Sequence, residues 1–439
     1  MRKLCGGCLT NKLALNFADL TDSKGILQPH QKDIVMTQAY IYDAVRTARG
    51  RAKDTGALHA LTPLDLMATL YKALEQRTGL DPTLVEDVIL GCATQVGEQA
   101  ANIAKTSTLY AGWPSSIPGI TINRYCSSGI DAAIFAAMKV STGMASCVVA
   151  GGVEMMSRVG MLSDKPNAFT DPALSSKLGM LMMGNGADLI ASLDNISREQ
   201  VDAVALKSQQ RAHFARENGY YKSIVPVFNS TLDKWVSEDE IIRANTTAQS
   251  LADMPCAFDE VGKLGTDKAQ LSAHSQLSHI NHVHTAGNSP AMADGAAAIL
   301  IGDKSLESHL HVKPRARIVS MITVNDDMTT VIGGCLAATK ALLKKANLTP
   351  NDIDLFEIHE AFAATMVKTE QDLNIGDEKL NVNGGCIALG HPLGATGSIM
   401  IGILLDELER RDLLTGIVAA SGAAGAGSAI LISRDMGGE

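Results

Sequence analysis

An α/β fold, layered and built from two similar halves, is predicted by three features of the sequence. Short β-branched runs alternate with stretches of helical period in a chain rich in Gly and Ala. Two separated regions repeat one order of strand, tight turn, helix, strand and glycine turn. Between them, from Met161 to Ala286, the rhythm breaks and Met, Asn, Ser, Lys and His become more frequent.

Taken in chain order, AYIYDAV from Ala39 is the first strand, and the helix-period stretch PLDLMATLYKALEQRTG from Pro63 follows it. EDVILGC from Glu86 and GITINRY from Gly119 read as strands, GIDAAIFAAMKVSTG from Gly129 as a helix, and SCVVAGG from Ser146 as a strand. The region 161–286 contains the amphipathic stretch SREQVDAVALKSQQRAHFARENG and is read as an insertion capping the core. Strands resume at AAAILIG from Ala296 and RARIVSM from Arg315, then the helix LAATKALLKKANL and the strand LFEIHE from Leu355. KLNVNGG from Lys379 is expected as a strand, SIMIGILLDELERRD as a helix, and GIVAAS and SAILIS as the closing strands. Duplicated βαβ units of this kind place equivalent loops at a shared crevice, where ligands bind.

Composition narrows the function. The 439 residues hold 38 Lys+Arg against 47 Asp+Glu, a net charge of −9, with 4% aromatic residues. That balance argues against nucleic acid or an anionic membrane as partner, so an anionic ligand must be held locally. No run approaches the roughly 18 apolar residues of a membrane span, and no signal-peptide core is present. Only Cys5 and Cys8 of the eight cysteines are closely paired; without a second Cys/His pair, CGGC is not read as a metal site, and no metal is expected.

The chemical candidates lie in the loops of the repeated halves. Cys126, in RYCSSGIDAA, stands where a strand ends and an Ala-rich helix begins, a position whose helix dipole favours a thiolate. His391, in NGGCIALGHPLGATG, is presented by a glycine-rich loop and is suited to take the proton of such a cysteine. His359, followed by Glu360 in LFEIHEAFAAT, sits at a strand-to-helix junction where a donor stabilises a developing oxyanion. SGAAGAG, from Ser421 to Gly427, reads by itself as a hairpin loop.

Together these stretches resemble the thiolase family of acyl-CoA C-acyltransferases. The resemblance runs from MTQAYIYDAVRTARGR at Met36 to SAILIS near Ser433, through CSSG, AGGVEMMS, TAGNSPAMADGAAA, HEAFA and GGCIALGHPLGATG in the family order. It implies a thiolase-like fold of two duplicated βαβαβ-type halves in layers with an inserted loop domain. The halves would be 36–160 with 287–305, and 306–439; the CoA-binding loop domain would be 161–286, and 1–35 an extension of unknown role. It implies coenzyme A as substrate with no permanently bound cofactor, an acyl-Cys126 intermediate, and His391 as activating base. Thiolytic cleavage of 3-oxoacyl-CoA, or its reverse Claisen condensation, is the implied reaction. Cys126 and Ala423 would supply the N–H groups of one oxyanion hole. Arg243, Ser250, Ala286, Ser289 and Phe362 match positions that line the CoA and substrate site.

This chain departs from the family pattern at several of these positions. His359 replaces the usual Asn, Ala423 a glycine, Pro290 a serine, and Ser421 the late cysteine that moves the second proton. A serine hydroxyl is a poor base at neutral pH. Cys386, in the His391 loop, is one candidate substitute; filling a turn as a small apolar residue is the other reading. Two alternatives to a thiolase stay open: a ketoacyl-synthase-like condensing enzyme, and a weakly active acyl-CoA-binding subunit. A homodimer or homotetramer, with a possible β-oxidation complex partner, is expected. Asp19, Asp22 and Asp33 do not suit a mitochondrial transit peptide, so bacterial cytoplasm is the expected location, with the mitochondrion as alternative.

Overall fold

The computed structural model describes residues 37–437, so the expectations for 1–35, including Cys5 and Cys8, lie outside the described residues. Nine strands run in one continuous order. They are β1 (Tyr40–Arg46), β2 (Asp87–Gly91), β3 (Gly119–Ile122), β4 (Cys147–Met155), β5 (Ala293–Gly302), β6 (Ala316–Asn325), β7 (Leu355–Ile358), β8 (Thr415–Ser421) and β9 (Ala426–Ser433). The spatial order is β3-β2-β4-β5-β1-β6-β9-β8-β7. β2 lies parallel to β3 and β4, and β7 parallel to β8, while the strands between them pair antiparallel. The two halves therefore repeat one arrangement, joined where Tyr40 and Ile41 of β1 face Arg317 and Ala316 of β6.

Helix ends follow their local chemistry. Helix α1 (Pro63–Thr78) opens with a reciprocal pair, in which the Thr62 oxygen accepts from the Asp65 N–H and the Asp65 carboxylate accepts from the Thr62 N–H. It closes at Gly79, whose φ of 75° is open to glycine and strained for other residues. α2 (Ile103–Tyr110) packs with α1 on the outer face of the first half, and α6 (Gly334–Ala346) covers β6, β8 and β9 of the second.

Between the halves lie α3 (Ser128–Ser141) and α8 (Thr396–Arg410), each touching strands of both. Their apolar sides meet in the central core, with Ile130, Ile401, Leu404 and Leu405 against Ile41, Ile299, Val418 and Ile430. Each of these fully buried aliphatic side chains contributes about 1.5–3 kcal/mol.

One expected strand is absent. KLNVNGG makes only an isolated bridge, Leu380 to Phe356, before turning away. The Asn381 side chain takes over: its Oδ1 accepts from the Ile358 N–H and its Nδ2 donates to the Ile358 carbonyl, both at 2.8 Å, which caps β7 in place of a neighbouring strand.

Residues 161–286 add no strand to this sheet. They form α4 (Met183–Leu193), α5 (Arg198–Glu217), short helices and a small hairpin of Val227–Asn229 with Lys234–Val236. The expected amphipathic stretch is α5, capped by Ser197 and Gln200. It packs on α7 (Ala363–Leu373) and on the short helix Cys386–Leu389. A buried pair of Arg46 with Asp239, two parallel hydrogen bonds at 2.8 and 2.9 Å, fastens this region to β1.

Candidate active site

Cys126 follows β3 and precedes α3 by two residues, on a chain turned sharply by Tyr125 at φ 52°. His391 lies on the loop before α8, where its own N–H donates to the Ala291 carbonyl (2.8 Å) and its Nδ1 is hydrogen-bonded to Thr396 Oγ1 (2.7 Å). Occupying Nδ1 leaves Nε2 for chemistry. The two loops meet because the starts of α3 and α8 touch at glycines: a Cβ on Gly397 would stand 2.5 Å from the Ile130 nitrogen, and one on Gly129 2.7 Å from the Ser398 nitrogen. Only hydrogen fits at either position.

A cavity of about 380 Å³ opens at this junction. Cys126, His359, His391 and Ser421 line it with Met161, Met182, Met183, Phe258, Phe362 and Ala423. A second chamber of about 220 Å³ shares Cys126, the three methionines and Ala423, and extends toward Tyr125, Leu162 and Phe169. The methionines and Phe258 come from the inserted region, so the insertion walls the site.

His359 follows β7 and is 2% exposed, with neither ring nitrogen hydrogen-bonded. Its ring lies against His391, centroids 4.4 Å apart. Burial lowers the His359 pKa to about 4, and burial, then the nearby His359 and Arg49, holds His391 well below the ordinary imidazole value. Both rings rest neutral.

Cys126 corrects the expectation of a low thiol pKa. Burial raises it to about 12 and the Glu154 carboxylate adds to the rise. Desolvation in the apolar chamber is the largest cause, and the half-buried Cys126 stands outside α3, whose N-cap is Ser127. The resting pair is thiol and imidazole.

Cys386, 2% exposed, does not line the cavity, but its sulfur lies close behind the wall. One ligand atom each of His359, Cys386 and His391 falls within 4.8 Å of the others. Burial raises its thiol pKa, partly offset by Arg49. Ser421 lines the cavity with its hydroxyl already committed: Oγ donates to the Ile332 carbonyl (2.6 Å) and accepts from the Cys335 N–H (2.8 Å). Its loop is the hairpin between β8 and β9.

The substrate-side candidates divide. Ser289, Phe362 and Ala423 line the main cavity. Arg243, Ser250 and Ala286 are exposed and do not; Ser250 Oγ donates to the Thr247 carbonyl within a helix cap. Three contributors were missed in the sequence: Thr396, the cavity methionines, and Glu154. The Glu154 carboxylate accepts from the N–H groups of Ala93, Thr94 and Gly394 at 2.8–3.0 Å, tying the loop after β2 to the loop of His391. A lone acid inside the apolar run of β4 was the available signal.

A cysteine and a buried imidazole lining one apolar cavity, between two copies of one sheet unit, suit a cysteine-dependent acyl transfer. Family models agree: "Thiolase, N-terminal domain" matches residues 39–305 and "Thiolase, C-terminal domain" residues 312–434. The chain belongs to the thiolase family. It is 39% identical over 411 residues to a 3-ketoacyl-CoA thiolase of Cronobacter sakazakii, covering 91% of this chain and 100% of that one. It is 38% identical over 409 residues to the 3-ketoacyl-CoA thiolase FadA of Escherichia coli K12, with 91% and 100% covered. Among solved structures it resembles the Bacillus anthracis acetyl-CoA acetyltransferase, with a TM-score of 0.78 and 33% identity over 91% of this chain and 99% of that one. It is thus an acyltransferase of the thiolase class.

Proposed function

We propose that this thiolase cleaves 3-oxoacyl-CoA with free CoA through an acyl-Cys126, using Cys386 for the second proton transfer. The observation that carries the proposal is the placement of Cys126 and His391 on one apolar cavity, with the Cys386 sulfur beside both histidine rings. The Cys126 proton passes to His391 Nε2 as the sulfur attacks the keto carbon. The bond between C2 and C3 breaks, the enolate takes the Cys386 proton, and acetyl-CoA leaves. The thiol of a second CoA gives its proton to the Cys386 thiolate and attacks the thioester. Cys126 departs and recovers its proton from His391. Proton transfer to a positioned group is worth roughly 10²–10⁴-fold in rate. Ser421 does not suit this role, because its hydroxyl is held by Ile332 and Cys335.

His359, buried with both ring nitrogens unpartnered, fits a donor to the thioester oxygen of the substrate, and the N–H groups of Cys126 and Ala423 fit the second oxyanion. Arg243 and Ser250, exposed on the inserted region, suit the anionic and pantetheine parts of CoA. The region 161–286 then acts as the CoA-binding domain. No permanently bound cofactor is needed. A second copy of the chain fits the edge strand β3, whose Ile120 is exposed beside Leu109 and Tyr110 of α2. Bacterial cytoplasm and a β-oxidation partner are consistent with the enterobacterial relatives; among the described residues no helix is long and apolar enough to cross a membrane.

Incubation with acyl-CoA followed by peptide mapping should place the adduct on Cys126. Cys386→Ala should abolish turnover while leaving Cys126 open to alkylation, and Ser421→Cys should raise activity or rescue that mutant. Full thiolysis by Cys386→Ala would overturn the second role. An adduct found only on another cysteine would overturn the first.

A further inference from the structure

The trio His359, Cys386 and His391 has the composition of a zinc site. Two imidazoles and one thiol are the ligands that soft divalent cations select, and three protein ligands with one open position is the pattern of an accessible zinc centre. One donor atom from each residue lies within 4.8 Å of the other two. Donors on a tetrahedral zinc ion with bonds of about 2.0–2.3 Å stand roughly 3.3–3.7 Å apart, so the three side chains close on the ion by moving together by up to about an ångström.

A second observation points to a ligand here. His359 is 2% exposed and neither of its ring nitrogens has a hydrogen-bond partner, a costly state for a buried polar ring unless something in the cavity engages it. His391 is already oriented as a metal-binding histidine is: Nδ1 is hydrogen-bonded to Thr396 Oγ1 and the remaining nitrogen is left over. Both rings line the cavity, so an ion reaches them without unfolding the loop. The local field opposes a cation, since Arg49 lies nearby and burial pushes Glu357 and Glu360 toward their neutral forms, so the Cys386 thiolate supplies the compensating charge.

We propose that His359, Cys386 and His391 bind one Zn²⁺ reversibly, with the open fourth position facing the cavity, and that bound Zn²⁺ blocks thiolysis. On binding, the Cys386 S–H proton leaves to solvent and a sulfur–metal bond forms. The inhibitory half rests on the mechanism proposed above, because the ion occupies the lone pairs that His391 and Cys386 need for proton transfer. The binding half does not depend on that mechanism. A thiolase with an alanine at the Cys386 position would keep the two histidines but lack the sulfur, so strong binding is a property of this chain's own Cys386.

The test uses the full-length chain carrying Cys5→Ser and Cys8→Ser, which removes the other closely spaced thiol pair. Reduced, metal-free protein is titrated with Co²⁺ in the absence of CoA, whose thiol competes for the ion, and Zn²⁺ affinity is taken from displacement of Co²⁺. One equivalent should give tetrahedral d–d bands with a sulfur-to-metal charge-transfer band. Cys386→Ser and Cys386→Ala should lose that band and weaken Zn²⁺ binding more than about tenfold, Thr396→Ala should weaken it by about 10–100-fold, and Cys126→Ser should keep the spectrum. Circular dichroism checks that each variant is folded. A charge-transfer band that survives in folded Cys386 variants, one that disappears in Cys126→Ser, or no Co²⁺ bound at all would overturn the site. Zn²⁺ binding without loss of thiolysis would leave the site intact and overturn only the inhibition. An inactive parent protein that still shows the cobalt spectrum would refute the mechanism and not the metal site.

Discussion

Gly397→Ala should separate the two catalytic loops. The new Cβ would meet the Ile130 nitrogen at 2.5 Å, Ile130 Cγ1 at 2.6 Å and the Gly129 carbonyl carbon at 3.2 Å, where ordinary contact begins at 3.4 Å. Two of these atoms are backbone, so relief requires the starts of α3 and α8 to part by about 0.9 Å, the difference between 3.4 and 2.5 Å. Overpacking of this kind costs about 1–3 kcal/mol, more than the roughly 1 kcal/mol that Ala gains over Gly in a helix. The displacement is carried to His391 on the loop leading into α8, and a misplacement of about 1 Å lowers rate roughly 10²-fold. The assay pairs urea unfolding with thiolysis of acetoacetyl-CoA. Gly402→Ala, on the same helix, is the control: its Cβ would first meet the Ser223 side chain at 3.3 Å, so it should leave turnover unchanged. Gly397→Ala with the stability and turnover of the parent would refute the glycine contact as the device that joins the loops.

Two further outcomes follow from the hydrogen-bonding and ionic networks. Ser421→Ala leaves the Cys335 N–H and the Ile332 carbonyl without their shared partner, so urea unfolding should show a loss of about 1–3 kcal/mol while turnover per folded enzyme stays near the parent's; loss of thiolysis at unchanged stability would refute the structural role. His282, hydrogen-bonded to Asp188 and Asp267, has its pKa raised to about 9, chiefly by the Asp188 bond. Its stabilisation is full below the unfolded-state value of about 6.5 and is lost as pH rises through 9. The melting-temperature gap between the parent and His282→Gln should therefore narrow from pH 6 to pH 10, and parallel curves would refute the assignment.

Local chemistry was legible in the sequence, and relations across the chain were less so. Cys126 is legible from its place between a strand and an Ala-rich helix and His391 from its glycine-rich loop, and both line the cavity. KLNVNGG carries a strand's apolar residues, yet the Asn381 side chain pairs with Ile358 in a way residue pattern does not encode. The Cys126 pKa escapes the sequence for a related reason: a helix start is readable from three neighbouring residues, whereas desolvation comes from the chamber walls. Ser421 looked like a weakened acid/base, but its partners Ile332 and Cys335 lie 89 and 86 residues away and commit its hydroxyl. The cavity methionines were visible only as a change in composition.

The place of β1 has consequences for how the chain is made. The first strand among the described residues lies at the middle of the sheet, between β5 and β6, and neither neighbour exists until more than 240 further residues have been synthesised. Contacts so far apart in sequence slow folding and leave an apolar strand waiting unpaired. The emerging chain therefore offers YIYDAV to chaperones, or to a neighbouring copy, for most of its synthesis. A mixture of chaperone-depleted translation products should aggregate through this segment before either half has closed.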